Sequence, residues 1–138
     1  MKNSHLDDLL LKEPEREEEY DEPSAPAIKR AKKDGLWVIL PAPNELLIDI
    51  DTEEQYQTFL KALPRFERVE LIQDWREEPS RSGLPARHIY VQLHKDIDAL
   101  ERIALQACLG SDLRRESLSL IRWLRDDPNP TLFFEEQS

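Results

Sequence analysis

The chain has 138 residues, room for one domain, and its formal charge of -10 opposes diffuse, sequence-independent binding to a phosphate backbone. Cys108 is the only cysteine, which excludes an internal disulfide and fits a reducing compartment. No apolar run approaches the ~20 residues that span a bilayer. Leu9-Leu10-Leu11, beside Asp7 and Asp8, is too short for the apolar core of a signal peptide, so the expectation is a cytoplasmic protein.

Residues 1–34 read as a disordered acidic and basic tail. They carry the run Glu17-Glu18-Glu19, then Pro23 and Pro26, then the basic cluster Lys29-Arg30-Ala31-Lys32-Lys33. Leu6, Leu9 and Leu10 fall at helical spacing within it and suit a short helix that frays alone or folds on a partner. A single domain is expected over 35–136. Leu36 to Leu40 is a strand-type apolar run closed by Pro41-Ala42-Pro43-Asn44, and Glu45 to Asp51 is a second strand. The short turn favours an antiparallel hairpin between the two. Thr52 and Gln55 form a capping box for a helix with Tyr56, Phe59, Leu60 and Leu63 on one face, ended by Pro64.

A third strand is expected from Phe66 to Trp75, a polar loop from Arg76 to Arg87, and a fourth strand from His88 to Leu93. Asp96 or Asp98 starts a helix burying Leu100, Ile103, Ala104 and Ala107, with Cys108 as a small core residue and Gly110 as the left-handed cap. Ser111 caps a last helix with Leu113, Leu120, Ile121 and Leu124 inward and its arginines on a solvated surface. Thr131 to Glu135 is a final short strand. The order β-β-α-β-β-α-α-β implies an α+β fold, a small antiparallel or mixed sheet with helices packed on one face.

Alternate residues of a strand point to opposite faces. Leu46, Ile48 and Ile50 therefore face the helices, while Asp49 and Asp51 project together from the other side. Two such carboxylates repel unless a cation lies between them, and an all-oxygen pair suits Mg2+ or Mn2+. The loop before the fourth strand offers Arg81, Ser82, Gly83 and Arg87, a Ser-Gly turn with positive charge suited to a phosphate, and it leads into His88. If Ile89 faces the core, His88 shares the face of Asp49 and Asp51.

The succession Leu47-Ile48-Asp49-Ile50-Asp51, a helix, a strand, Ser82-Gly83 and His88-Ile89-Tyr90-Val91 resembles the archaeo-eukaryotic primase-polymerase superfamily. The resemblance covers about Leu36 to Leu93 and has the character of a short or degenerate member of phage or mobile-element type. It implies an RNA-recognition-motif-like core, with Asp49 and Asp51 as catalytic metal ligands. A third ligand would be Asp112 or Glu135, and Ser82, Gly83, His88, Arg81 and Arg87 would be nucleotide contacts. It further implies nucleotide or nucleic-acid-end binding with divalent metal, and nucleotidyl transfer in DNA replication or repair. The alternative is a non-catalytic acidic interaction module of the same fold, with a protein partner engaged through the N-terminal tail. His88 and His94 lack a diagnostic zinc spacing.

Overall fold

A computed structural model describes residues 22–80 and 82–137. In chain order the elements are α1 (Ser24–Lys33), β1 (Leu36–Ile39), β2 (Glu45–Ile50), α2 (Glu53–Arg68), β3 (Ile72–Pro79), β4 (Arg87–Leu93), α3 (Ala99–Cys108), α4 (Leu113–Leu124) and β5 (Phe133–Glu136). The fold is α+β. Strands β2, β4 and β3, in that spatial order, make an antiparallel sheet, and β1 pairs antiparallel with β5 in a separate ribbon.

One face of the three-stranded sheet holds the main core. Leu46, Ile48, Ile50, Ile89, Val91 and Leu93 are all buried there against Phe59 and Leu63 of α2 and Leu109 after α3. A bulge at Gln73 shifts the parity of β3, so that Ile72 and Trp75 both reach this face. The Trp75 ring meets Phe59 edge-on at 5.0 Å. The opposite face carries a smaller cluster in which Phe133 of β5 and Ile39 of β1 cover Leu47 and Tyr90. The aspartate face is therefore roofed by the β1–β5 ribbon rather than open.

That roof explains why the expected β1–β2 hairpin does not form. Leu46, Leu47 and Ile48 are each 0% exposed, so β2 is apolar on both faces and needs a partner buried likewise. Strand β4, with Ile89, Tyr90 and Val91, supplies one, whereas Trp37 of β1 is more than half exposed. The Pro41–Asn44 connection turns away from a hairpin, its Ala42 and Pro43 carbonyls accepting from Arg102 Nη2 at 3.0 and 3.2 Å.

Boundaries also move, and β3 runs on to Pro79 through the start of the loop expected from Arg76. Pro64 lies inside α2, which runs on to Arg68 because Phe66 still packs on the core, and β3 accordingly starts at Ile72 instead of Phe66. The expected tail gives way to structure at its C-terminal end, where α1 buries Ser24, Ala27 and Ala31. Asp127 anchors α1 by accepting from the Ser24 backbone N–H at 2.6 Å and from its hydroxyl. Burial alone would raise the Asp127 carboxyl, but the Ser24 hydrogen bonds outweigh it and hold the group below the usual range. The rest of the expected tail, with Leu6, Leu9 and Leu10, lies outside the described residues.

The largest departure is α4. Glu116, Ser119 and Arg122 are buried, while Leu113, Leu120 and Leu124 face outward. In α3, Leu100 and Ala104 are likewise exposed, Arg102 and Gln106 are buried, and Cys108 is exposed. The reason is the outer edge of β2, which no strand covers among the described residues. Its polar groups are taken instead by side chains of α3 and α4. Arg102 Nε donates to the Glu45 carbonyl at 2.8 Å, the Leu47 N–H donates to Gln106 Oε1 at 2.8 Å, and Arg115 Nη1 donates to the Leu47 carbonyl at 2.5 Å. The Asp49 N–H donates to Ser111 Oγ at 3.0 Å, and the Asp49 carbonyl accepts from the Asp112 N–H at 2.7 Å. A buried edge without such partners would leave several unpaired groups at ~1–3 kcal/mol each.

Candidate functional site

The edge network fixes the site. Because the Asp112 N–H is held on the Asp49 carbonyl, the start of α4 stands beside the end of β2. The α3–α4 turn can come this close to α2 only through Gly110, whose φ is +87° and where a Cβ would lie 2.9 Å from the Gln55 carbonyl oxygen. From the other side, the α2 capping box pins the end of β2. Gln55 Oε1 accepts from the Asp51 N–H at 2.7 Å and from the Thr52 N–H at 3.2 Å, while Thr52 Oγ1 accepts from the Gln55 N–H at 3.1 Å.

The outcome is a cluster of three carboxylates. Oxygens of Asp49, Asp51 and Asp112 all lie within 4.8 Å of one another. Burial raises the Asp49 carboxyl above its usual range despite the opposing charges of Arg115 and His88. Asp51 is pushed up to about 6 by burial, by the Asp49 charge and by its hydrogen bond with Asp112. Acids crowded this way hold protons or a cation in order to coexist. An all-oxygen carboxylate set fits a hard divalent ion such as Mg2+ or Mn2+, and nothing in it favours zinc or copper.

His88 stands directly opposite Asp49 in the β2–β4 register, on the same face, as expected if Ile89 is inward. Its Nε2 is 3.7 Å from Asp49 Oδ1 and its Nδ1 is 2.6 Å from Glu135 Oε1. An ionised carboxylate only accepts, so Nδ1 carries the hydrogen on that bond and Nε2 is turned toward the aspartates. Phe133 stacks on the imidazole at 3.8 Å, and the Tyr90 hydroxyl donates to the same Glu135 oxygen. Burial, then the Glu135 hydrogen bond, pushes the Tyr90 hydroxyl well above the usual tyrosine range. Of the two candidate third acids, Asp112 joins the cluster, whereas Glu135 spends its carboxylate holding His88 and Tyr90.

A cavity of about 580 Å³ opens over this cluster, lined by Asp49, Asp51, His88, Ser80, Ser82 and Arg115, with Leu132 and Phe133 among its walls. Ser82 lines this cavity. Gly83, at φ +77°, closes the turn by donating to the Ser80 carbonyl at 2.9 Å, and it accepts from the Ala86 N–H at 3.0 Å. Arg87 is elsewhere. As the strand neighbour of His88 it points to the opposite face, where it lies 3.6 Å over the Tyr56 ring and pairs with Glu77 at 3.2 Å and Glu53 at 3.5 Å. Arg81 lies outside the described residues.

Sequence reasoning missed Ser80 and Arg115 at this cavity. Ser80 is the first serine of the Ser80-Arg81-Ser82 run and was legible by that repetition. Arg115, 13% exposed, departs from the solvated face expected of the α4 arginines, and only the covered β2 edge explains its burial. His94 is exposed and joins no metal cluster among the described residues. Comparison with protein-family models, with curated proteins and with solved structures finds no match to this chain.

Proposed function

We propose that the cavity binds the phosphates of a nucleotide or a nucleic-acid end together with a divalent metal, in the manner expected of a primase-polymerase-like domain acting in DNA replication or repair. The observation that carries this reading is the convergence of Asp49, Asp51 and Asp112 within 4.8 Å, beside His88. Asp49, Asp51 and Asp112 would hold Mg2+ or Mn2+, which supplies positive charge for phosphate oxygens and, in a transferring enzyme, Lewis-acid chemistry for nucleotidyl transfer. The chain's own part is positioning. The His88 Nε2 edge faces the space beside the aspartates, its orientation set by Glu135 and Phe133. Ser82 lines the cavity and offers its hydroxyl to a phosphate oxygen. The ring of acids also explains how a chain of charge -10 would accept a phosphate at all, since the metal reverses the local field.

The test is nucleotide binding with and without millimolar Mg2+ or Mn2+, wild type against Asp49→Ala/Asp51→Ala. Metal-dependent binding in the wild type, lowered at least ~100-fold in the variant, is the expected result, a loss of ~2.7 kcal/mol. Binding that is absent in the wild type, or equal in both, would sink this reading. A second reading, a non-catalytic interaction module, is favoured by one specific observation, the outward leucines of α4.

A further inference from the structure

Helix α4 carries its apolar side outward. Leu113, Leu120, Trp123 and Leu124 are 67%, 38%, 37% and 64% exposed. Large apolar side chains turned outward on a helix whose polar face is buried suit a docking site. Beside the stripe, a groove of about 600 Å³ runs between α1 and α4, with Ala25, Ile28, Ile121 and Pro128 in its wall and Lys29 and Lys32 at its rim. Helix α1 carries Lys29, Arg30, Lys32 and Lys33 and no acid. The surface therefore suits an occupant with apolar side chains on one side and acids on the other.

We propose that this occupant is the chain's own segment Leu6–Leu11. Leu6, Leu9 and Leu10 share one face at helical spacing, and Asp7 and Asp8 lie off it. Residues 1–21 contain eight acidic side chains against three basic ones, a charge opposite to that of α1. The tether also fits. The chain passes from Asp21 to Glu22, whose carbonyl accepts from Arg122 Nε at 2.9 Å, and Pro23 and Ser24 line the groove itself. The ten residues from Lys12 to Asp21 reach up to about 33 Å, more than the roughly 18 Å length of a twelve-residue helix such as α4. A linker of that length holds the segment at an effective concentration on the order of millimolar, enough for a weak helix-in-groove contact. A second copy docking face to face would instead bring two lysine-rich α1 helices together. The inference is independent of the metal site.

The test uses the full chain with Cys108→Ser and a nitroxide on Ser4→Cys. The methyl signals of Ile28, Ile121 and Leu124 should broaden strongly, and Leu9→Asp/Leu10→Asp should restore them, with no effect on Ile72 or Val91 in the core. Unchanged Ile72 and Val91 signals in the labelled and substituted chains show that the core is intact. No broadening, or broadening that survives Leu9→Asp/Leu10→Asp, overturns the proposal. Broadening that appears only between a labelled and an isotope-enriched molecule in a mixture also overturns it, in favour of a second copy as the occupant.

Discussion

Replacing Glu116 by alanine is expected to cost ~3–5 kcal/mol of stability, the range for breaking a buried ion pair by removing one partner. Glu116 accepts from Gln106 Nε2 at 2.8 Å, from Ser111 Oγ at 2.6 Å and from Arg115 Nη1 at 2.6 Å. Each of those three side chains also bonds the outer edge of β2, so one 3% exposed carboxylate aligns the whole cap. Without it a guanidinium, an amide and a hydroxyl lose their common acceptor in a buried setting. At roughly 4 °C or more per kcal/mol for a domain near this size, the melting temperature should fall by on the order of 12 °C or more. Glu116→Gln, which keeps one acceptor oxygen, should lose less. A loss below ~1 kcal/mol on denaturant titration of Glu116→Ala would mean that the edge cap does not hold α4 in place.

The second large effect concerns the aspartates and has an unusual direction. Asp49→Asn/Asp51→Asn should raise the melting temperature of the metal-free protein at about pH 7.5, because it removes charges that the fold crowds together. Burial and the Asp49 charge push Asp51 up to about 6 in the folded chain, against 3.8 for an ordinary aspartate. Between those values the folded state keeps a proton that the unfolded chain has lost, so stability from this group is present at low pH and declines as pH rises toward 6. The gap between the wild type and the asparagine variant should therefore narrow from pH 7.5 to pH 5 and close only below about 3.8. Millimolar Mn2+ should reverse the ranking at about pH 7.5. At one hundred times its dissociation constant a ligand adds ~2.7 kcal/mol, and the variant should gain almost none of it. Protons and metal compete for the same oxygens, so the Mn2+ increment should shrink toward pH 5. Scanning fluorimetry at the two pH values checks all of this, and a metal-free wild type that melts higher at pH 7.5 than its asparagine variant would contradict it.

The parts of this site that were legible in the sequence are those set by strand alternation and local capping. Parity alone put Asp49 and His88 on one face, and the β2–β4 register makes them cross-strand partners. The Thr52–Gln55 box and the left-handed Gly110 were equally local. Parity also carried information that was not applied to Arg87, which cannot share a face with the adjacent His88. What stayed hidden depends on tertiary context. An amphipathic pattern says that a helix has two faces and not which one is buried. In α4 the polar face is the buried one, because a bare strand edge offers more hydrogen bonds than apolar contacts. The continuous apolar run Leu46-Leu47-Ile48 did signal a strand covered on both sides, and hence a roof over the aspartates.

The proposed cation site joins three carboxylates from two distant parts of the chain, and Asp112 is the residue on which it turns. Titration of Mn2+ followed by electron paramagnetic resonance at about pH 7.5 tests it most directly. Saturable binding to the wild type is expected, weakened at least ~10-fold, about 1.4 kcal/mol, by Asp112→Asn and unaffected by Glu135→Gln. Equal binding by the wild type and Asp112→Asn, or no binding by either, would contradict it.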